Sequence, residues 1–171
     1  MKIEFPKLKA KDVEVKFNDA NGYISCKLNG VRLRRIGHGA ARSVFSFGKD
    51  FVLKITNTDD SQDLDQMDNE YINYKRIKRT KYKKNVPATS RVKMLECGRS
   101  YVFQKRVSGK LISSLNVTEC KEFYTLARKF NDRFRIGDLH RDNAKYSKKN
   151  GIVIFDLGIN GCFNEKSKLF T

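Results

Sequence analysis

Five short segments in the first 56 residues constrain the fold more than anything else in the chain. VEVKF (13–17), GYISCKL (22–28), GVRLRRIG (30–37), SVFSF (43–47) and DFVLKIT (50–56) alternate apolar and polar residues or are rich in β-branched ones. Such alternation places one set of side chains on each face of a strand. The turns DANG, LNG and FGKD punctuate the segments, and glycine with Asn or Asp is what a tight reversal needs. A helix is expected from about Asp63 to Arg79, where Leu64, Met67, Tyr71, Tyr74 and Ile77 fall close to i, i+3, i+7 spacing. Two further strands, SRVKMLECG (90–98) and SYVFQKRV (100–107), join at Gly98-Arg99. VTECKEFYTLARKFNDRF (117–134) reads as a second helix with Phe123, Leu126, Ala127 and Phe130 on one face, and GIVIFDLG (151–158) as an apolar strand ending in an acid. The order predicts a strand-rich half with one helix, then a smaller half with one helix and a site-bearing loop.

A length of 171 residues suits one compact domain, or two small lobes sharing a cleft. Twelve Phe and seven Tyr exclude a mainly disordered chain. No stretch approaches the roughly 18 apolar residues of a membrane span, and the opening MKIEFPKLKAKDVEVKF has no apolar core of a secretory signal. Cys26, Cys97, Cys120 and Cys162 are scattered, without a CxxC or a His-containing cluster. That spacing argues against a zinc site and a disulfide framework, and fits a reducing cytosol. The expectation is a soluble, cytoplasmic domain with no membrane contact.

The chain is strongly basic, with 36 Lys+Arg against 19 Asp+Glu and a net charge of +17. The charge is uneven: DDSQDLDQMDNE (59–70) is acidic, whereas KRIKRTKYKK (75–84) carries seven Lys or Arg. Acids at the start of the first helix and bases at its end complement the macrodipole. Two readings stand at this point: a solvated, dipole-matched helix face, or a patch that binds polyanions. No RNA-recognition, zinc-finger or helix-turn-helix pattern accompanies it.

Four separated features suggest phosphate chemistry. In IGHGAARSVF (36–45), Gly37 and Gly39 would let backbone amides approach a phosphate without Cβ interference; an ordinary glycine hairpin reads equally well. Lys54 lies in FVLKI, sharing a strand face with Val52 and Thr56, where it is either a nucleotide lysine or one solvated strand lysine among many. Glu70, midway along the first helix, either pairs with Lys54 or decorates the surface. The strongest feature is IGDLHRDNAKYS…GIVIFDLG (136–158), in which Asn143 follows Asp138 by five residues and Asp156 follows it by eighteen. Phosphoryl transfer needs an acid to orient or deprotonate the acceptor hydroxyl, and oxygen ligands to hold magnesium against the β- and γ-phosphates. His140-Arg141-Asp142 spells a rival register, but Asp142 satisfies neither spacing and Asp138 satisfies both.

In this order the features resemble the protein-kinase-like fold, over about residues 33–160. IGHGAARSVF resembles its Gly-rich loop, FVLKI the strand of the nucleotide lysine, and NEYINYKRI the helix of that lysine's glutamate partner. SYVFQKRVSG resembles the hinge, GDLHRDN the catalytic loop, and FDLG the Asp-Phe-Gly magnesium motif with Leu157 for Phe. The resemblance implies an α+β fold: an antiparallel-sheet N-lobe with one helix over residues 1–107, and a strongly reduced helical C-lobe over 108–171. It implies ATP and Mg²⁺ as cofactors, with Lys54 on the α- and β-phosphates and Glu70 orienting it. Asp138 would be the base, and Asn143 and Asp156 the metal ligands. The hinge backbone around Lys105 and Val107 would hydrogen-bond adenine, roofed by Ile36, Val44 and Val52.

The chain also departs from the pattern. No segment resembles the Ala-Pro-Glu region, and 13 residues follow Gly158. Ile136 stands where a His usually precedes the catalytic Asp, and Lys145 at a position usually apolar and beneath adenine. His140 replaces a lysine, giving an Asp-x-His pattern similar to aminoglycoside and choline phosphotransferases and to small bacteriophage-encoded serine/threonine kinases. The expectation is therefore a minimal serine/threonine protein kinase acting on a partner protein or on itself, in the host cytoplasm if phage-encoded. Its partner would be an acidic or nucleic-acid-associated protein, with nucleic-acid contact through Lys75–Lys84, and the reduced lobe would be completed either by a homodimer or by a partner. Two alternatives are a catalytically weak kinase-like module that captures a host protein or nucleic acid, and a small-molecule phosphotransferase.

Overall fold

The computed structural model describes residues 3–18 and 23–159; the turn DANG and Cys162 lie outside them. The chain forms two compact units, Met1–Asp68 with Ala88–Arg106, and Asn69–Pro87 with Val107–Thr171.

The first unit is built on two antiparallel sheets. One joins β1 (Val13–Asn18), β2 (Tyr23–Leu28) and β3 (Val31–Arg32). The other has five strands, β4 (Arg35–His38), β5 (Arg42–Phe47), β6 (Phe51–Thr56), β7 (Lys93–Met94) and β8 (Ser100–Lys105), in the order β4-β5-β6-β8-β7. Cross-strand register sets the two faces of the large sheet. Phe45 opposes Leu53, which opposes Phe103, and these side chains join Ile24, Cys26, Ile55, Leu95 and Tyr101 in one buried core. Edge-to-face rings tighten it, with Phe47 and Phe103 centroids 4.8 Å apart.

GVRLRRIG is not one strand. Leu33 N still donates to Cys26 O of β2, whereas Arg34 O already accepts from Ser46 N of β5. One continuous alternating stretch is thus shared between two sheets and breaks where its backbone changes partner. SRVKMLECG is a strand only at Lys93–Met94, because Gly98 N donates to Leu95 O and Leu95 N to Arg99 O, closing a turn in which Gly98 takes φ +80°.

Helix α1 (Ser61–Ile77) begins two residues before the expected Asp63, since Asp60 Oδ1 accepts from Gln62 N at 2.7 Å and caps the first turn. It stops short of Arg79 because Thr80 N and Oγ1 both donate to Ile77 O. The same hydroxyl then accepts from Tyr82 N and starts a 3-10 turn, Lys81–Asn85.

That turn and the later part of α1 belong to the second unit, with β9 (Lys110–Leu111), helix α2 (Val117–Phe134), β10 (Ala144–Ser147) and β11 (Gly151–Ile154). The three strands form an antiparallel sheet, β11-β10-β9. Cys120, Phe123, Ala127, Phe130 and Phe134 recur at three- and four-residue steps on α2 and are all buried. They pack with Ile77, Ile112, Ile136, Leu139, Ile154 and Leu157. Asn85 is tied to this core by an Nδ2 donation to Ile152 O at 2.7 Å.

Candidate active site

In the first unit, the face of the large sheet opposite its core carries four of the expected nucleotide residues, Gly37, Val44, Val52 and Lys54. Gly37 opposes Val44, Val44 opposes Lys54, and Lys54 opposes Val102. Val52, two residues from Lys54, is on the same face. Lys54 is 3% exposed, so it is not the solvated strand lysine that one reading of the sequence allowed. Val44 is half-buried, Val52 buried, and Ile36 exposed.

The glycine turn is built as a hairpin. Gly39 N donates to Arg42 O at 2.8 Å, which engages one of the amides expected to meet a phosphate. Neither Gly37 nor Gly39 has a positive φ, and a Cβ at Gly39 would meet nothing within 4 Å. Backbone conformation therefore does not require glycine at either position, and the absent Cβ of Gly39 leaves open space above the turn. Arg42, at the start of β5, is buried and its Nη1 donates to Gln66 O. Asn57 fixes the turn from behind: its Nδ2 donates to Gly39 O and Ala40 O, and its Oδ1 accepts from Ser43 Oγ at 2.8 Å. Sequence reading missed this residue, although an Asn directly after a strand is a common turn anchor.

At the end of β8, Lys105 is exposed and its Nζ lies 3.1 Å from Asp50 Oδ1. Its amide donates to Ala88 O.

The second unit carries the rest. Glu70 on α1 is fully buried, which rules out surface decoration. The segment from Ile136 to Asn143 is held at both ends and from below. Asn131 Nδ2 donates to Ile136 O at 3.1 Å and Gly137 N to Ile159 O at 2.9 Å. Ile136 and Leu139 are buried in the core on either side of the exposed Asp138, so the side chain taking the place of a His supports the loop by packing.

Asp138 adopts φ 49°, a left-handed conformation that Asp tolerates better than most residues and that recurs at functional sites. Its carbonyl accepts from His140 N at 3.1 Å and from Asn143 Nδ2 at 3.3 Å. His140 stands between two carboxylates, with Nε2 3.8 Å from Asp138 Oδ2 and Nδ1 3.8 Å from Asp142 Oδ2. Asn143 O accepts from Phe155 N at 2.9 Å, which joins the loop to the residue before Asp156. Asp156 Oδ1 in turn accepts from Gly158 N at 3.2 Å. Asn73 Nδ2 donates to Leu157 O at 2.8 Å and fixes the FDLG turn to α1, a role the sequence did not reveal.

Among the described residues no group of three or more His, Cys, Asp and Glu is arranged to hold a metal ion. The oxygen donors Asn143 and Asp156 suit magnesium, a hard cation that takes one or two protein ligands and completes its shell with phosphate and water. Val107 O accepts from Lys145 Nζ at 3.3 Å, and the same ammonium lies 6.0 Å from the Phe155 ring centroid. One carbonyl of the expected hinge is therefore engaged by a lysine of β10.

The antiparallel sheets, the two helices and the loop order define a kinase-like α+β fold. No protein-family model matches the sequence, and no curated protein does. Among solved structures, the chain is similar to WbdD, crystallised with the kinase inhibitor LY294002, at TM-score 0.53 and 14% identity over 80% of this chain and 35% of that one. It is similar also to the kinase domain of PF14_0431, at TM-score 0.53 and 12% identity over 73% of this chain and 49% of that one. The chain thus spans about a third and about half the length of these two. No helix among the described residues is long and apolar enough to cross a membrane.

Proposed function

We propose that this protein is an ATP- and Mg²⁺-dependent phosphotransferase that modifies serine or threonine on a partner protein or on itself. The observation that carries the reading is the hydrogen-bonded loop in which Asn143 bonds to the Asp138 carbonyl and accepts, through its own carbonyl, from the residue before Asp156. Transfer of a phosphoryl group asks little covalent chemistry of the protein; it asks for positioning and for charge neutralisation. Asp138, exposed and set apart by its left-handed backbone, is the group to accept the proton of an acceptor hydroxyl. Asn143 and Asp156 are the oxygen donors for magnesium, which when bound neutralises charge on the β- and γ-phosphates. By the resemblance, the buried Lys54 is assigned to the α- and β-phosphates and the buried Glu70 to the place of the glutamate that partners such a lysine.

The acceptor class separates this reading from a small-molecule phosphotransferase. Incubation with ATP, Mg²⁺ and a bacterial lysate, followed by phosphosite mapping, is expected to yield new phosphoserine or phosphothreonine absent with Asp138→Ala. Phosphate found only on small molecules would overturn the protein-kinase assignment. Equal phosphosites from both proteins would overturn Asp138 as base.

A further inference from the structure

The basic run of α1 does not stand alone in the second unit. Arg76 and Arg133, distant in sequence, each lie 5.8 Å from the centroid of the Phe134 ring, and Arg76 Nη1 donates to Phe134 O at 2.9 Å. Tyr82 of the 3-10 turn packs edge-to-face on Phe130 and Phe134 of α2. The bond from Asn85 to Ile152 O seats the same turn on the hairpin whose loop carries Lys148 and Lys149. Three stretches of chain thereby converge: Lys75–Lys84, the C-terminal turns of α2 with Lys129, Arg133 and Arg135, and the β10–β11 loop.

Arg76, Lys78, Arg79, Lys81, Lys83, Lys84, Lys129, Arg133, Arg135, Lys148 and Lys149 are all exposed. Among the described residues none of them is paired with a carboxylate, and Asp132 is the one exposed acid in these stretches. Such a concentration of charge of one sign repels itself, so it exceeds what dipole matching or solubility requires.

We infer that this composite face binds nucleic acid through its phosphate backbone, without base specificity. A protein partner is less well matched, because protein interfaces centre on desolvated apolar anchors. Here Phe130 and Phe134 are buried in the core with Tyr82 packed against it, and cations lie over the Tyr82 and Phe134 rings. Among the described residues no exposed large apolar side chain falls within these stretches, Ile72 and Tyr146 only flanking them. Polyanion binding of this kind releases counterions, and affinity falls linearly in log-log form with salt.

The test is fluorescence anisotropy of labelled 30-nucleotide oligo-dT and a 30-base-pair duplex, without ATP, across a salt series. That choice makes it independent of the phosphotransferase reading. Binding is expected to weaken at least tenfold between about 50 and 200 mM salt. Reversal of Lys78, Arg79, Lys83 and Lys84 to Glu, and separately of Lys129 and Arg133, is expected to lower affinity at least tenfold and flatten the salt slope. Neutralisation of the same residues to Gln serves should either reversal fail to fold. Reversal of Lys7, Lys9 and Lys11, exposed bases of the first unit, is expected to leave affinity unchanged. An equal loss from that control set would overturn a localised face, as would salt-insensitive binding or a preference for poly-glutamate over both oligonucleotides.

Discussion

In the proposed function Asp138 carries the proton transfer, and its side chain is exposed while its carbonyl organises the loop through His140 N and Asn143 Nδ2. Asp138→Asn keeps the left-handed backbone accessible, since Asn shares Asp's tolerance of positive φ. It is expected to lower the transfer rate by about 100- to 10,000-fold, the range for a lost general base, with the melting temperature almost unmoved. A parallel loss of folding would show that the residue is structural. Lys145 supports a second prediction. Its ammonium engages Val107 O, so Lys145→Leu should release that carbonyl to a nucleotide base. A gain of about 1 kcal/mol, typical of one hydrogen bond, would lower KM for ATP about fivefold with kcat unchanged. An unchanged or raised KM would mean that the carbonyl takes no part in nucleotide binding.

Elements differed in how plainly the sequence announced them. Helix α2 was legible to the residue because its apolar positions follow one uninterrupted helical period onto a single core. The strand around Lys54 was equally plain, yet its alternation said nothing of burial: both faces are covered, and alternation distinguishes the faces without saying which is wet. GVRLRRIG misled because period-two alternation persists across a change of hydrogen-bonding partner, which only tertiary structure decides. The two-residue strands β7 and β9, and the 3-10 turn at Lys81–Asn85, are too short for any periodicity. In the loop, spacing singled out Asp138, Asn143 and Asp156, and hydrogen bonds join the first two and the residue before the third. The asparagines that brace the glycine turn, the FDLG turn and the loop, Asn57, Asn73 and Asn131 respectively, were not legible, since a buried Asn is defined by the carbonyl it satisfies. Two substitutions test this packing. Phe130→Ala should cost about 3–5 kcal/mol of stability, as aromatic truncations in cores do, measured by chemical denaturation. Gly109, at φ +128°, would place a Cβ against the Tyr146 carbonyl, so Gly109→Ala is expected to separate β9 from β10 and lower the melting temperature. Unchanged stability in either variant would contradict the packing described for α2 or for that sheet.

At the scale of the whole molecule, thiol reactivity reports which surfaces are closed. Cys97 is exposed, whereas Cys26 and Cys120 are buried. Burial, with a smaller contribution from Cys97, pushes the Cys26 thiol up from 9.0 to about 11. The folded state thus holds that proton more tightly than the unfolded state. Its contribution to stability is complete below pH 9 and is lost as the pH rises through about 11. Alkylation at pH 8 followed by peptide mapping should label Cys97 in the native protein, and Cys26 and Cys120 only after denaturation. Native labelling of Cys26 would show that the first unit opens.

The most direct trial of the phosphotransferase assignment is transfer from γ-labelled ATP with Mg²⁺ by purified wild type, Asp138→Ala and Asp156→Ala, each verified as folded. Label on wild type or its acceptor that vanishes in both variants is the expected result. Folded wild type that transfers no label to itself or to a lysate would contradict it.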